Sequence, residues 1–191
     1  MNQMVLAVDD QIHMLKLLER IIEEYTDYGI VSTSNPLEAK RFLEVNQYDL
    51  IITDLKMPGF DGLQLLKLIK EGHRFEEVII ITAFASLESA MQALSFGVFD
   101  YLTKPFKKER ILESIERAMK LQREKRLCRQ MEDLFKTAPY SKAETQFREQ
   151  YIRLLSERCS GEAAVICREA GLSSEEIERI LSGETHTTGE T

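Results

Sequence analysis

Residues 50–59 read LIITDLKMPG. An apolar run, Leu50 to Ile52, leads to an acid, Asp54, and Met57-Pro58-Gly59 then breaks the chain. A short unbroken apolar run closed by turn residues is the pattern of a strand buried on both faces of a parallel sheet. The arrangement recurs on either side. Met4 to Val8 precedes Asp9 and Asp10, Val78 to Ile81 precedes Thr82, and Tyr101-Leu102 precedes Lys104. If these runs are parallel strands, five polar side chains (Asp9, Asp10, Asp54, Thr82 and Lys104) gather at one sheet edge.

The segments between the runs have helical spacing. Ile12, Leu15, Leu18 and Ile22 recur on one helical face, and Gly29–Val31 follows as a short strand. Asn35-Pro36 opens the next helix, with Asn as cap and Pro in the first turn. Leu63, Leu66 and Ile69 mark a helix from Gly62 to Lys70 that Gly72 ends, and Leu87–Phe96 is a helix closed by Gly97. Five strands alternating with helices predict an α/β fold, a doubly wound five-stranded parallel sheet. Ligands of such sheets bind beyond the carboxyl ends of the strands, where the five polar residues fall.

From Lys107 to Lys136 there is neither Gly nor Pro, so the fifth helix is expected to run past the sheet as a long helical linker. Ala138-Pro139 marks a boundary, and a small all-helical unit follows. Its first helix spans Lys142 to Ser160, with Phe147, Tyr151, Leu154 and Leu155 on one face, and Gly161 interrupts it. A short helix from Glu162 to Ala170 leads to Gly171-Leu172. Ser173 and Glu176 then form a capping box for a last helix ending near Leu181, before Gly183. The tail GETHTTGET has the composition of a disordered segment. The expected boundaries are 1–120 for the sheet domain, 121–138 for the linker, 139–183 for the helical unit and 184–191 for the tail.

Bulk properties narrow the class. Of the 191 residues, 30% are charged and 43% apolar, as in a globular protein. No apolar run approaches the ~20 residues of a membrane helix, and MNQMVLAVDD lacks the basic start of a signal peptide. A cytoplasmic protein without membrane contact is expected. Cys128, Cys159 and Cys167 form no CxxC and read as reduced thiols. His13, His73 and His186 lack the spacing of a zinc site. Charge is uneven: residues 1–106, 107–136 and 137–191 carry net charges of −7, +4 and −4, so only the linker is basic.

Three crowded carboxylates repel, and a divalent cation compensates them best. An all-oxygen set suits Mg²⁺. Asp54, alone at a strand end, is placed to act as a nucleophile and take a phosphoryl group as an acyl phosphate. Lys104 would neutralise one phosphoryl oxygen and Thr82 would donate to another. Pro105 after Lys104 admits a cis peptide bond. Each residue has a plainer reading: Asp9, Asp10 or Thr82 as helix caps, Asp54 and Lys104 as solvated charges. Five coincidences at strand ends are harder to accept than one site.

The segments VLAVDD, IITDLKMPGFDGLQLL, IITAF and FDYLTKPF resemble the receiver domain of bacterial two-component response regulators of the nitrogen-regulator-like class, over residues 3–120. The resemblance implies a flavodoxin-like strand order 2-1-3-4-5. It implies that Asp54 accepts phosphate from a sensor histidine kinase, and that Asp9, Asp10, Asp54 and the backbone carbonyl of Lys56 bind Mg²⁺. Thr82 and Lys104 then hold the phosphoryl oxygens, and Tyr101 is the switch aromatic that turns inward as Thr82 moves. Lys56 and Phe84 fall where the family tunes dephosphorylation. A bulky Phe84 predicts a long-lived acyl phosphate. The protein is expected to be a regulator and not an enzyme, with a homodimer through the fourth-to-fifth-helix face and the linker as a further partner.

GEAAVICREAGLSSEEIERIL is similar to the Fis-type helix-turn-helix that ends many such regulators, and FREQYIRLL to its long first helix. The resemblance makes Ala170-Gly171-Leu172 the turn and Ser173 to Leu181 the recognition helix. The usual intervening ATPase module is not seen, and no GxxxxGK[ST] stretch occurs. A DNA-reading helix needs Arg, Lys, Asn or Gln. This one offers Ser174, Glu175, Glu176 and Glu178, with Arg179 its one base. Two outputs stand side by side: transcription regulation through DNA, and a signalling adaptor or relay acting through protein contacts.

Overall fold

Five strands, β1 (Met4–Val8), β2 (Gly29–Thr33), β3 (Leu50–Asp54), β4 (Glu77–Thr82) and β5 (Asp100–Thr103), alternate with α1 (Ile12–Tyr25), α2 (Pro36–Val45), α3 (Gly62–Glu71), α4 (Leu87–Ser95) and α5 (Lys108–Thr137). Beyond them lie α6 (Tyr140–Arg158), α7 (Ala163–Ala170) and α8 (Ser174–Ser182). The structure, a computed structural model, describes residues 3–72, 74–137, 139–159 and 162–182. Gly161, Gly183, the tail 184–191, His73 and His186 lie outside the described residues.

The strands pair in parallel in the order β2-β1-β3-β4-β5. Side chains alternate across each strand, and the sequence is apolar at both parities. Val5, Ala7, Ile52, Ile79 and Ile81 pack on one face against Leu15, Leu18 and Ile22 of α1 and Ile111, Ile115 and Met119 of α5. Leu6, Val8, Ile51, Val78 and Ile80 pack on the other against Leu43 of α2, Leu66 and Ile69 of α3 and Ala93 of α4. The central strands β3 and β4 are buried throughout, while β2 and β5 form the partly exposed edges. α4 is the lightly packed helix of the layer, with Ala93 as its buried residue.

The chain divides into two compact units, Met1–Lys125 and Arg126–Thr191. The first reaches past the expected limit of 120 because polar contacts carry α5 beyond its apolar face. Gln3 Nε2 donates to the Met119 carbonyl at 3.0 Å, Gln122 donates to the Phe75 carbonyl, and Lys125 pairs with the buried Glu77.

In the second unit, Ile152 and Leu155 of α6 meet Ile166 of α7 and Ile177 of α8. Here the expectation from sequence needs correction. Of the four residues assigned to one face of α6, Leu155 is buried, but Phe147, Tyr151 and Leu154 are exposed. They lie at i, i+4 and i+7, a stripe of their own beside the Ile152–Leu155 stripe. Ala143, absent from the expected face, is also buried. α6 also begins earlier than expected, at Tyr140, directly after Pro139.

Candidate functional site

Register aligns the acids. β1 pairs with β3 through Val8↔Thr53, so Asp9 and Asp54, each the next residue, stand side by side. β3 pairs with β4 through Asp54↔Ile81, and Thr82 follows at the same edge. The Thr82 carbonyl accepts the Lys104 N–H at 2.8 Å, and the Lys104–Pro105 peptide is cis. Strand order reverses between β1 and β3, and doubly wound sheets open a ligand crevice at such a reversal.

One oxygen from each of Asp9, Asp10 and Asp54 falls within 4.8 Å of the others; Asp9 and Asp54 are buried, Asp10 exposed. Lys104 Nζ lies 2.6 Å from Asp9 Oδ2 and 3.6 Å from Asp54 Oδ1. Asp9 Oδ1 accepts the Gln11 N–H at 2.9 Å, so both Asp9 oxygens are held. Asp54 Oδ1, by contrast, is buried with no hydrogen-bond partner among the described residues. Leaving such an atom unpaired costs about 1–3 kcal/mol, a cost that a ligand can remove. Three carboxylates with one orphaned oxygen fit a hard divalent cation.

Burial lifts the Asp54 carboxyl above its ordinary value of 3.8; Lys104 opposes the shift, Asp9 and more weakly Asp10 reinforce it, and the Leu55 N–H opposes it. The sign comes from linkage. A carboxyl whose folded value is raised contributes stability fully present below 3.8, which is lost as pH rises through the raised value. In magnesium-free buffer, Asp54→Asn is therefore expected to melt a few degrees above the parent at pH 7. That difference should shrink as pH falls toward 4, and thermal unfolding across this range checks it. A gap independent of pH, or a variant that melts lower at pH 7, contradicts the assignment.

The remaining predicted residues are distributed around this edge. Lys56 is exposed, two residues beyond Asp54. Thr82 is fully buried and accepts the Phe84 N–H at 3.0 Å. Tyr101 is half-buried, its hydroxyl 3.0 Å from Ser89 Oγ. Two residues that sequence reasoning missed also bear on the site. Gly62 opens α3 against the Asp54 backbone, and a Cβ there would lie 2.2 Å from the Asp54 carbonyl oxygen. Ser89 joins α4 to Tyr101. Neither has a distinctive pattern in the sequence, although a glycine in the first turn of a helix is a weak hint of close packing.

The sheet order and the acidic carboxyl edge define a doubly wound α/β domain with an acidic cluster at its carboxyl edge. Residues 5–116 match the family described as the response regulator receiver domain, and the chain belongs to that family. It is 42% identical over 117 residues to the transcriptional regulatory protein FlgR of Helicobacter pylori, covering 61% of this chain and 30% of the relative. It is 31% identical over 180 residues to the DNA-binding transcriptional regulator NtrC of Proteus hauseri, covering 93% of this chain and 37% of the relative. The chain thus spans about a third of the length of the curated relatives it matches. Among solved structures, a response regulator receiver domain protein from Clostridium thermocellum superposes with a TM-score of 0.59 at 31% identity, over 65% of this chain and 98% of that one. Among the described residues, no helix is long and apolar enough to cross a membrane.

Proposed function

We propose that the chain is a two-component response regulator that Asp54 phosphorylation switches, with a sensor histidine kinase as donor. The carrying observation is Asp54 itself: a buried carboxylate, one oxygen of which has no hydrogen bond among the described residues, between two further acids and a lysine. An Asp54 oxygen attacks the phosphorus of a phosphohistidine, the P–N bond breaks, the imidazole leaves, and an acyl phosphate remains. Asp9, Asp10, Asp54 and the Lys56 carbonyl would hold Mg²⁺, which would supply charge neutralisation to the phosphoryl oxygens. Lys104, already poised between Asp9 and Asp54, turns to a second phosphoryl oxygen, and the Thr82 hydroxyl donates to a third. Incubation with acetyl phosphate tests this. One phosphoryl group should appear on Asp54 in the presence of Mg²⁺ and be absent with chelator; labelling at another residue defeats the assignment.

Phe84 is 67% exposed, so its ring is not part of the core. It is available to hinder the water that hydrolyses the acyl phosphate. Phe84→Ala should shorten the phosphate half-life roughly tenfold, about 1.4 kcal/mol in barrier. A parent half-life of only seconds in Mg²⁺ would contradict the screening role.

The output is proposed to be transcription regulation, in keeping with relatives named as transcriptional regulators. α7 and α8 flank a left-handed Gly171 at φ 66°, which supports reading the pair as a helix-turn-helix. A second reading, a signalling adaptor without DNA contact, is favoured by α8 itself. Glu175 and Glu178 are exposed, and Glu176 is committed to capping Ser173. Two exposed glutamates on the reading helix oppose a polyanion. Binding of the phosphorylated protein to genomic DNA fragments, titrated from low to high salt, separates the two. Affinity falling steeply with salt supports DNA output, and no binding at low salt supports the adaptor. Leu87, Met91 and Leu94 on α4 are exposed, which supports a homodimer through the α4-to-α5 face.

A further inference from the structure

We propose that Ser89 is the positioning residue that ties α4 to Tyr101, so that a change at the phosphorylation site reaches α4 through this one hydroxyl. The inference rests on the reading of Asp54 as phosphoacceptor and adds a component to it.

Ser89 holds two positions at once. It is the third residue of α4 and the far half of the helix's capping box: its Oγ accepts the Ser86 N–H at 3.1 Å, and the Ser86 Oγ accepts the Ser89 N–H at 3.1 Å. It also lies 3.0 Å from the Tyr101 hydroxyl on β5. A serine hydroxyl has one proton and two lone pairs. Four polar groups lie within reach of the Ser89 oxygen: the Ser86 N–H, the Ser86 carbonyl at 3.0 Å, the Ser86 Oγ at 2.9 Å and the Tyr101 hydroxyl. With Ser89 donating to the Ser86 carbonyl, its two lone pairs can take the Ser86 N–H and the Tyr101 O–H. The cap and the tyrosine therefore share one saturated oxygen.

Little else restrains this end of α4. Residues 83–88 are exposed, and Ala93 is the buried residue of the helix. Elements that move are drawn from such weakly packed regions. β5 is fixed to the site by the Lys104 N–H on the Thr82 carbonyl and by the Thr82↔Thr103 pairing. Displacement of Thr82 and Tyr101 is thus transmitted to the α4 cap, and through it to the exposed stripe Leu87, Met91 and Leu94.

The test uses the full-length protein and amide hydrogen exchange over residues 86–95, with and without beryllofluoride and Mg²⁺ as phosphoryl mimic. The parent should show a mimic-dependent change. Ser89→Ala should reduce that change at least threefold, while acetyl phosphate labelling of Asp54 stays within about twofold of the parent. Ser89→Thr, which keeps the hydroxyl, should restore it. Tyr101→Phe should match Ser89→Ala, and the double variant should add nothing further. Ser86→Ala separates coupling from capping: it should raise exchange in both states and leave the mimic-dependent difference in place. A full-sized α4 response in Ser89→Ala overturns the proposal, as does failure of Ser89→Thr to rescue or a labelled parent whose α4 does not respond. A parent that takes no label at Asp54 instead defeats the underlying reading, and the proposal with it.

Discussion

Asp54→Asn is expected to abolish phosphorylation, with labelling by acetyl phosphate or by a kinase falling by at least a factor on the order of a hundred. The change swaps one oxygen for a nitrogen of nearly the same size, so packing is kept. It removes the carboxylate that must attack phosphorus, and an amide oxygen is a poor nucleophile. It also takes a negative charge from a cluster whose members lie within 4.8 Å of one another, which weakens cation binding at the same stroke. The fold should survive: at neutral pH, burial already disfavours the charge on Asp54. Loss of labelling together with a higher melting temperature is a signature that general unfolding cannot imitate. Continued labelling of this variant contradicts the site assignment, whatever the output turns out to be.

Gly62→Ala should produce the largest structural effect of a small substitution in the first unit. A Cβ at this position would lie 2.2 Å from the Asp54 carbonyl oxygen, 3.1 Å from its carbonyl carbon and 3.2 Å from Leu55 Cα. All three are backbone atoms, so no side chain can swing aside. Either the start of α3 or the end of β3 must move by about 1 Å, and overpacking of this kind costs typically 1–3 kcal/mol. Asp61 caps α3 through a capping box with Gln64, and the Gly62 N–H donates to the Leu55 carbonyl at 3.1 Å. The helix start is thereby pinned, which directs part of the strain into the Asp54 backbone. Misplacement of a reacting group by 1 Å can cost about a hundredfold in rate. Thermal unfolding and initial labelling rate should therefore both fall. A variant with parental stability and parental labelling would show that the α3 start yields freely.

Much of this was legible in the chain. Runs such as Val78–Ile81, apolar at both parities, can be satisfied only between two layers, so hydrophobic burial alone calls for the doubly wound sheet. The acids and the lysine were legible for the same reason: a strand ends where its apolar run stops, and the next residues lie at the sheet edge. α6 shows where such reading fails. Phe147, Tyr151, Leu154 and Leu155 are all apolar, yet one is buried and three are exposed, because a small three-helix unit has room to cover only one stripe of a 19-residue helix. The extension of the first unit along α5 to Lys125 was likewise hidden, since Gln122 and Lys125 anchor the helix through polar groups distant in sequence.

The amino-acid sequence by itself determined the alternation of elements, the sheet class and the identity of the residues at its carboxyl edge, because burial and chain breaks are local properties. Only the tertiary structure decided that both Asp9 oxygens are held while Asp54 Oδ1 has no hydrogen bond among the described residues, that Gly62 leaves no space beside the Asp54 backbone, and that Ser89 joins α4 to Tyr101. Those facts depend on distances of a few ångströms between segments far apart in the chain, and hydrophobic patterning, which specifies faces and not atoms, has no means of encoding them.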